Sequence, residues 1–265
     1  MKTLIFNLVL SILIAFMSFN NLVYSKPNDT IIALAPALAE IVYAVGAEDK
    51  LVAVSSWCDY PEDVKKKPKV GNAFSINKEL IIKLKPKIIL AVDSQQPMVD
   101  DLKMLGVEIY YFSSKNLDEV YDNIIKIGEI TGHLKEATEL VSELTQKQET
   151  LQAEKQKKVL YVINTEPLMS VSKYSFINDI IEKSGHKNIT GSIKDNSRNE
   201  YPIISLEYVI AQKPDVVVIT HSIDSAEYLK KYLKSKFVVI TNEQVDTLSR
   251  PGPRVIDAIK MFSKL

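Results

Sequence analysis

Apolar runs alternate with amphipathic stretches along the chain, and one such unit occurs twice. Residues 76–94 (INKELIIKLKPKIILAVDS) return, without a gap, as residues 204–222 (ISLEYVIAQKPDVVVITHS), an offset of 128. Each copy predicts a short helix, a stop at Lys85-Pro86 or Lys213-Pro214, and then a continuous apolar run. Proline cannot continue a helix, and an unbroken run such as 216–219 suits a strand covered on both faces. The same offset aligns 107–112 with 235–240 and 31–33 with 159–161. The pattern therefore predicts an α/β fold of two similarly wound lobes with central, mostly parallel sheets. Twofold architectures of this size hold a ligand between their halves.

The first half predicts a strand at 31–35, a helix at 38–45 ending at Gly46, a strand at 51–55 and a turn-rich segment at 57–71. After the repeated unit come a helix at 97–105, stopped by Gly106, and a strand at 107–112. From 117 the spacing becomes helical: Leu117, Val120, Tyr121, Ile124 and Ile127 lead to an interruption at Thr131-Gly132, and Leu134, Ala137, Leu140, Val141 and Leu144 resume it. The polar tail 146–158 consists of strong helix formers, which predicts a long connecting helix of about 20 residues and about 30 Å. The second half predicts a strand at 158–163, a helix at 175–184, a loop at 189–201, the second copy, a helix at 226–233, a strand at 237–241 and a last helix at 255–265. The division is thus a lobe at 26–116, a connector at 117–157 and a lobe at 158–265.

Residues 1–25 stand apart. Lys2, the apolar stretch 4–19 and small Ser25 have the order of a cleaved signal peptide, so the expected mature chain is exported and soluble, with 240 residues. No cysteine near the cut offers a lipid anchor. Formal charge is zero for the whole chain, which gives no footprint for nucleic acid. Only Arg198, Arg250 and Arg254 are arginines, and Cys58 is the sole cysteine, so no intramolecular disulfide forms. Such a thiol outside the cytoplasm must be buried or it is a liability.

Enzyme readings lack parts. The chain has no Gly-x-Gly, no Gly-x-Ser-x-Gly and no His-Glu-x-x-His. His133 falls at a helix break and reads as solvated, and His186 follows Gly185 in a turn. His221 ends a strand, where it occupies the place of Asp93 in the repeat. A metal shared by those two would need further ligands, so a capped strand end is the reading.

Trp57 follows a strand in SSWCDYP, with Asp59 and Tyr60 beside it and Phe74 after Gly71. Loop aromatics at one end of a sheet form flat apolar walls for a large ligand. Tyr201 precedes the second copy almost as Phe74 precedes the first, which predicts an aromatic on each side of a cleft. Asp246 and Arg250 supply polar groups from the second half, and Arg254 reads as opening the last helix. Glu79 and Glu207 fall in the first turns of the two repeated helices, where a carboxylate suits the helix dipole. One per half, they also suit a twofold partner bearing two cations.

These segments resemble the periplasmic substrate-binding proteins of ABC importers, in the class whose two lobes are joined by a long helix. The resemblance rests on 31–45, 51–61, 77–90, 205–219 and 246–254, and within the class it is nearest to the cobalamin binders. It implies a periplasmic monomer that binds a corrinoid between its lobes, carries out no chemistry, needs no cofactor or metal, and delivers its load to the importer's permease subunits. Trp57 and Tyr201 match aromatic ligand contacts, Asp246 and Arg250 polar ones, and Glu79 and Glu207 the glutamates that meet permease arginines. Two positions depart from the pattern: a first-lobe tryptophan becomes Ala73, and a second-lobe aromatic becomes Leu168 or Met169. Cobalamin is favoured because the walls are aromatic and cations few. A ferric siderophore would recruit several arginines, and haem would need an axial ligand such as Tyr60 or His221. An exported enzyme of unknown type is the remaining alternative.

Overall fold

The apolar runs pair into two sheets. The computed structural model describes residues 29–193, 199–220 and 223–265. The expected signal segment, residues 1–25, and His221 lie outside the described residues. In the first half, β1 (Ile31–Ala33), β2 (Leu51–Val54), β3 (Ile88–Val92) and β4 (Glu108–Phe112) form a parallel sheet in the order β2-β1-β3-β4. In the second, β5 (Lys158–Thr165), β6 (Leu168–Ser170), β7 (Lys187–Asn188), β8 (Val216–Thr220) and β9 (Lys236–Ile240) form a sheet in the order β6-β5-β8-β9, with β7 also on β5. Only β6 runs antiparallel.

The repeat extends to hydrogen-bond register. Ile31 lies opposite Ile88 and Ile88 opposite Glu108; Val159 lies opposite Val216 and Val216 opposite Lys236. Each of those residues has its counterpart 128 positions on. The helices α1 (Pro36–Ala44), α2 (Lys78–Leu84) and α3 (Gln96–Val99) belong to the first half, with 3-10 turns at Glu62–Lys66, Asp93–Gln95 and Asp100–Leu105. α2 ends at Lys85, whose φ of 49° is left-handed. The second copy, after α4 (Leu117–Thr131), α5 (Leu134–Glu149) and α6 (Phe176–Lys183), is α7 (Leu206–Gln212), ending at Lys213 with φ 52°. In both, the lysine turns the chain and proline forbids a further helical turn. α8 (Ile223–Lys230), α9 (Asn242–Ser249) and α10 (Val255–Ser263) complete the fold.

Alternate strand residues supply different cores, as a sheet covered on both faces requires. Ile32, Ile89 and Ala91 pack outward with Ile81 and Leu102, while Leu160, Val162, Val217 and Ile219 pack outward with Leu229. Ile31, Ile88 and Leu90 of one sheet, and Val159, Val216 and Val218 of the other, belong to a single continuous cluster. Ile124 and Ile127 of α4, Ile180 of α6 and Ile259 of α10 fill it. The halves therefore share a core.

The connector differs from its expected form. α4 and α5 make an antiparallel hairpin around Gly132 and His133, with Tyr121 near the start of one bonded to Gln148 near the end of the other at 3.1 Å. A Cβ on Gly128 would lie 2.4 Å from that of Ala137, so glycine sets the close approach. The predicted helix through 146–158 stops at Glu149. Past Leu144 its helical spacing leaves no apolar face to bury, and propensity alone does not hold a helix. Residues 150–157 instead pass the C-terminal end of α6, where the Ala153 N–H donates to Ser184 O at 3.0 Å. His133 is half-buried, its Nδ1 donating to Thr131 O at 2.9 Å, and is not simply solvated. His186 follows the turn at Gly185, as expected, and is buried. Cys58 is also buried, which pushes its thiol up to about 12. No helix among the described residues is long and apolar enough to cross a membrane.

Candidate functional site

The segments that follow β2 carry the aromatic wall. Gly71 has φ +112°, and an added Cβ would strike the Ser75 carbonyl oxygen at 2.1 Å, so only glycine fits this turn. The Asn72 side chain closes the turn by accepting from the Phe74 and Ser75 N–H groups at 2.9 and 3.0 Å. The Ser56 N–H donates to Gly71 O at 2.6 Å, tying this turn to the segment after β2. The result brings Trp57 and Phe74 together edge to face, with ring centroids 5.7 Å apart at 78°. Trp57 is 45% exposed and Phe74 83% exposed. Two large apolar rings thus touch one another while staying open to solvent, outside the packed core.

Beside them lies a group of charges that joins the halves. Arg250, in the turn after α9, pairs with Asp59 through both guanidinium nitrogens and with Asp246 at 3.2 Å. That hydrogen bond holds the Asp59 carboxyl below the usual carboxylate range. Glu40 of α1, 2% exposed at its side chain, accepts two bonds from Arg254 at 2.7 and 2.9 Å and lies 3.7 Å from Arg250. The Arg254 guanidinium also lies over the Tyr60 ring, 4.3 Å from its centroid. Arg254 stands at the start of α10 but makes no side-chain cap there; its side chain goes to Glu40. Sequence reasoning missed this role. The one local trace of it is a lone carboxylate in the otherwise apolar α1, PALAEIVYA.

A cavity of about 360 Å³ opens at the carboxyl ends of β1, β3 and β4, where open α/β sheets present ligand groups. Ala35, Asp93, Phe112 and Lys115 line it from the first half, and Glu200 and Arg250 from the second. The predicted Arg250 is thus in its wall, with Asp59 and Asp246 held against Arg250. Trp57, Tyr60, Phe74 and Tyr201 are outside the lining. Tyr201 follows the lining residue Glu200; burial and the Glu200 charge raise its hydroxyl. No ring contact joins it to Trp57 or Phe74 among the described residues. Phe112, Lys115 and Glu200 were not singled out in the sequence, although the carboxyl end of a predicted strand and the few residues after it are a signal that would have found the first two. Asp93 faces the cavity, and the described residues hold no group of three or more metal-ligating side chains.

Glu79 and Glu207 sit at matching exposed positions in the first turns of α2 and α7. Both helices are already capped: the Asn77 side chain accepts from Leu80 N–H at 2.9 Å, and that of Ser205 from Tyr208 N–H at 3.1 Å. Neither glutamate has an ion-pair partner among the described residues.

Residues 31–246 match the family described as periplasmic binding protein. The vitamin B12-binding protein of Yersinia pestis (strain Pestoides F) is 29% identical over 245 residues, covering 90% of this chain and 86% of its own. Among solved structures, the periplasmic vitamin B12 binding protein BtuF of Vibrio cholerae superposes with a TM-score of 0.71 at 26% identity, over 89% of this chain and 95% of the other. A possible iron-binding, periplasmic solute-binding protein from Staphylococcus epidermidis superposes with a TM-score of 0.75 at 30% identity, over 89% and 97%.

Proposed function

The chain belongs to the periplasmic binding protein family, and from that membership we propose that it captures a corrinoid in the periplasm and delivers it to an ABC-type importer. The observation that carries the ligand class is the exposed Trp57–Phe74 pair on a loop whose next residues reach the cavity wall through Asp59 and Arg250. The cavity by itself is smaller than a corrinoid. The ligand would therefore seat one edge in it and lay its ring face against the aromatic surface outside. The named vitamin B12-binding relatives support the same choice.

Cations at the site are few. Arg250 is already neutralised by Asp59 and Asp246, which disfavours a highly anionic ferric siderophore. On this reading residues 1–25 are removed on export, the mature monomer binds without making or breaking a bond, and Glu79 and Glu207 engage the permease. Calorimetry of the mature protein with cyanocobalamin, haemin and a ferric catecholate tests it. One corrinoid per chain with a submicromolar Kd is expected, an affinity ordinary for a largely buried ligand. Tight haemin binding with no corrinoid binding would replace the ligand while leaving the transport role intact.

A further inference from the structure

We propose that Glu40 and Arg254 are positioning residues: they clamp the turn after α9 onto the first half and so hold Arg250 in the wall of the cleft before any ligand arrives. The turn, Arg250-Pro251-Gly252-Pro253, comes from the second half, yet apart from the Arg250–Asp246 pair the side-chain partners of Arg250 and Arg254 lie in the first. Glu40 receives both Arg254 bonds, Asp59 receives Arg250, and Tyr60 lies beneath the Arg254 guanidinium. A Cβ on Gly252 would come within 3.5–3.7 Å of Ala37 backbone and side-chain atoms at the start of α1, so turn and helix lie close together. Arg250 and Arg254 expose only 12% and 17% of their side chains. Two of the three arginines in the chain are spent here.

The geometry favours a clamp over a surface ion pair. The Glu40–Arg254 pair is bidentate and shielded from solvent, conditions under which charge-assisted bonds are directional and least screened by salt. Glu40 also lies 3.7 Å from Arg250, so it balances both cations at once. Removing its charge takes away the one carboxylate near both largely shielded guanidiniums and leaves Arg250 only Asp59 and Asp246, each about half exposed. The shared apolar core limits how far the halves can separate. The clamp then fixes the remaining freedom of the turn that carries Arg250, Ser249 and Pro251 into the cavity lining.

The part that concerns ligand affinity rests on the corrinoid reading; the part that concerns the halves does not. Spin labels on Lys83→Cys and Lys234→Cys, both exposed and on opposite halves, report the distance between them, while buried Cys58 stays unlabelled. In the ligand-free protein, Glu40→Gln is expected to broaden that distance distribution, and cyanocobalamin binding to weaken about tenfold. Arg254→Lys, which keeps the charge but loses the bidentate geometry, should broaden it less, and it serves as the readout if Glu40→Gln fails to fold. Glu62→Gln, which removes an exposed pair with Lys65, is the control and should change neither quantity. An unchanged distribution in Glu40→Gln, or in Arg254→Lys where only that variant folds, would overturn the clamp. A parent protein that binds no corrinoid would instead overturn the ligand reading, with the distance measurement still deciding the clamp.

Discussion

Trp57 is the single residue whose role is best tested by its own signal. It is the only tryptophan, so intrinsic emission reports one place, and its ring leans on Phe74 with 45% of the residue open to solvent. A corrin absorbs across the tryptophan emission band, so titration with cyanocobalamin should quench the fluorescence strongly. Trp57→Ala should weaken binding by about 1–3 kcal/mol, the range for truncating an aromatic anchor at an interface. Trp57→Phe should lose less, because a flat apolar face remains. Thermal stability should change little in either variant, since the ring is not part of the core. A large fall in Tm with unchanged affinity would make Trp57 a structural staple instead. At this scale the sequence offers candidates where chemistry is concentrated in a short stretch: Trp57, Asp59, Tyr60 and Phe74 stand out as candidates because they are neighbours. Glu40 did not stand out, because its partners Arg250 and Arg254 are more than 200 positions away and its one local trace is that it is the lone carboxylate of α1. Buried ion pairs of that separation exist only once the fold brings them together.

At the scale of elements, the repeated units were visible because buried strands have few alternatives. An apolar run after Lys-Pro leads to a strand covered on both faces, and the fold adds only the register. The connector was harder. Its two helices followed the apolar spacing, but the end of α5 depended on tertiary contacts made by 150–157, which helix propensity does not report. β6 was missed for a related reason, since three residues pairing back on β5 carry little pattern of their own. One contact in this region predicts a pH dependence. The His186 ring accepts from Lys157 N–H through Nδ1 at 3.2 Å and donates from Nε2 to Phe262 O at 2.9 Å, linking the approach to β5 with α10. Burial lowers the imidazole from its ordinary 6.5; the Phe262 carbonyl opposes that shift and the Lys157 charge adds to it. The folded state thus prefers the neutral ring, and the unfolded state takes up the proton first as pH falls. The contribution is present above about pH 6.5 and is lost as pH drops below it. Melting temperatures should accordingly decline from pH 7.5 to 5.5, and His186→Gln should be less stable at pH 7.5 but show a shallower decline. Parallel slopes would assign the pH dependence to other groups.

For the molecule as a whole, the repeat places one exposed carboxylate on each half, and its consequence is a statement about assembly. Glu79 and Glu207 are not needed as caps, because Asn77 and Ser205 already satisfy the first turns of α2 and α7. Their remaining local benefit is the interaction with the helix dipole, about 0.3–1 kcal/mol each at an exposed site. Reversing both, in Glu79→Lys/Glu207→Lys, should therefore lower Tm only slightly. Neither residue lines the cavity, so the Kd for cyanocobalamin should stay within about twofold of the parent, a change worth roughly RT ln 2. Delivery should behave differently. If the loaded protein docks on two cations related by a twofold axis, each reversal replaces an attraction with a repulsion, about twice the change of removing the charge, as like charges at an interface oppose association. Uptake by the cognate importer, reconstituted in vesicles, should fall in either single reversal and vanish in the double. Raising ionic strength should weaken the parent's docking and relieve part of the defect in the single variants. Normal uptake by the double reversal would leave the two glutamates as helix-dipole partners, and any docking face for an importer would have to be sought elsewhere.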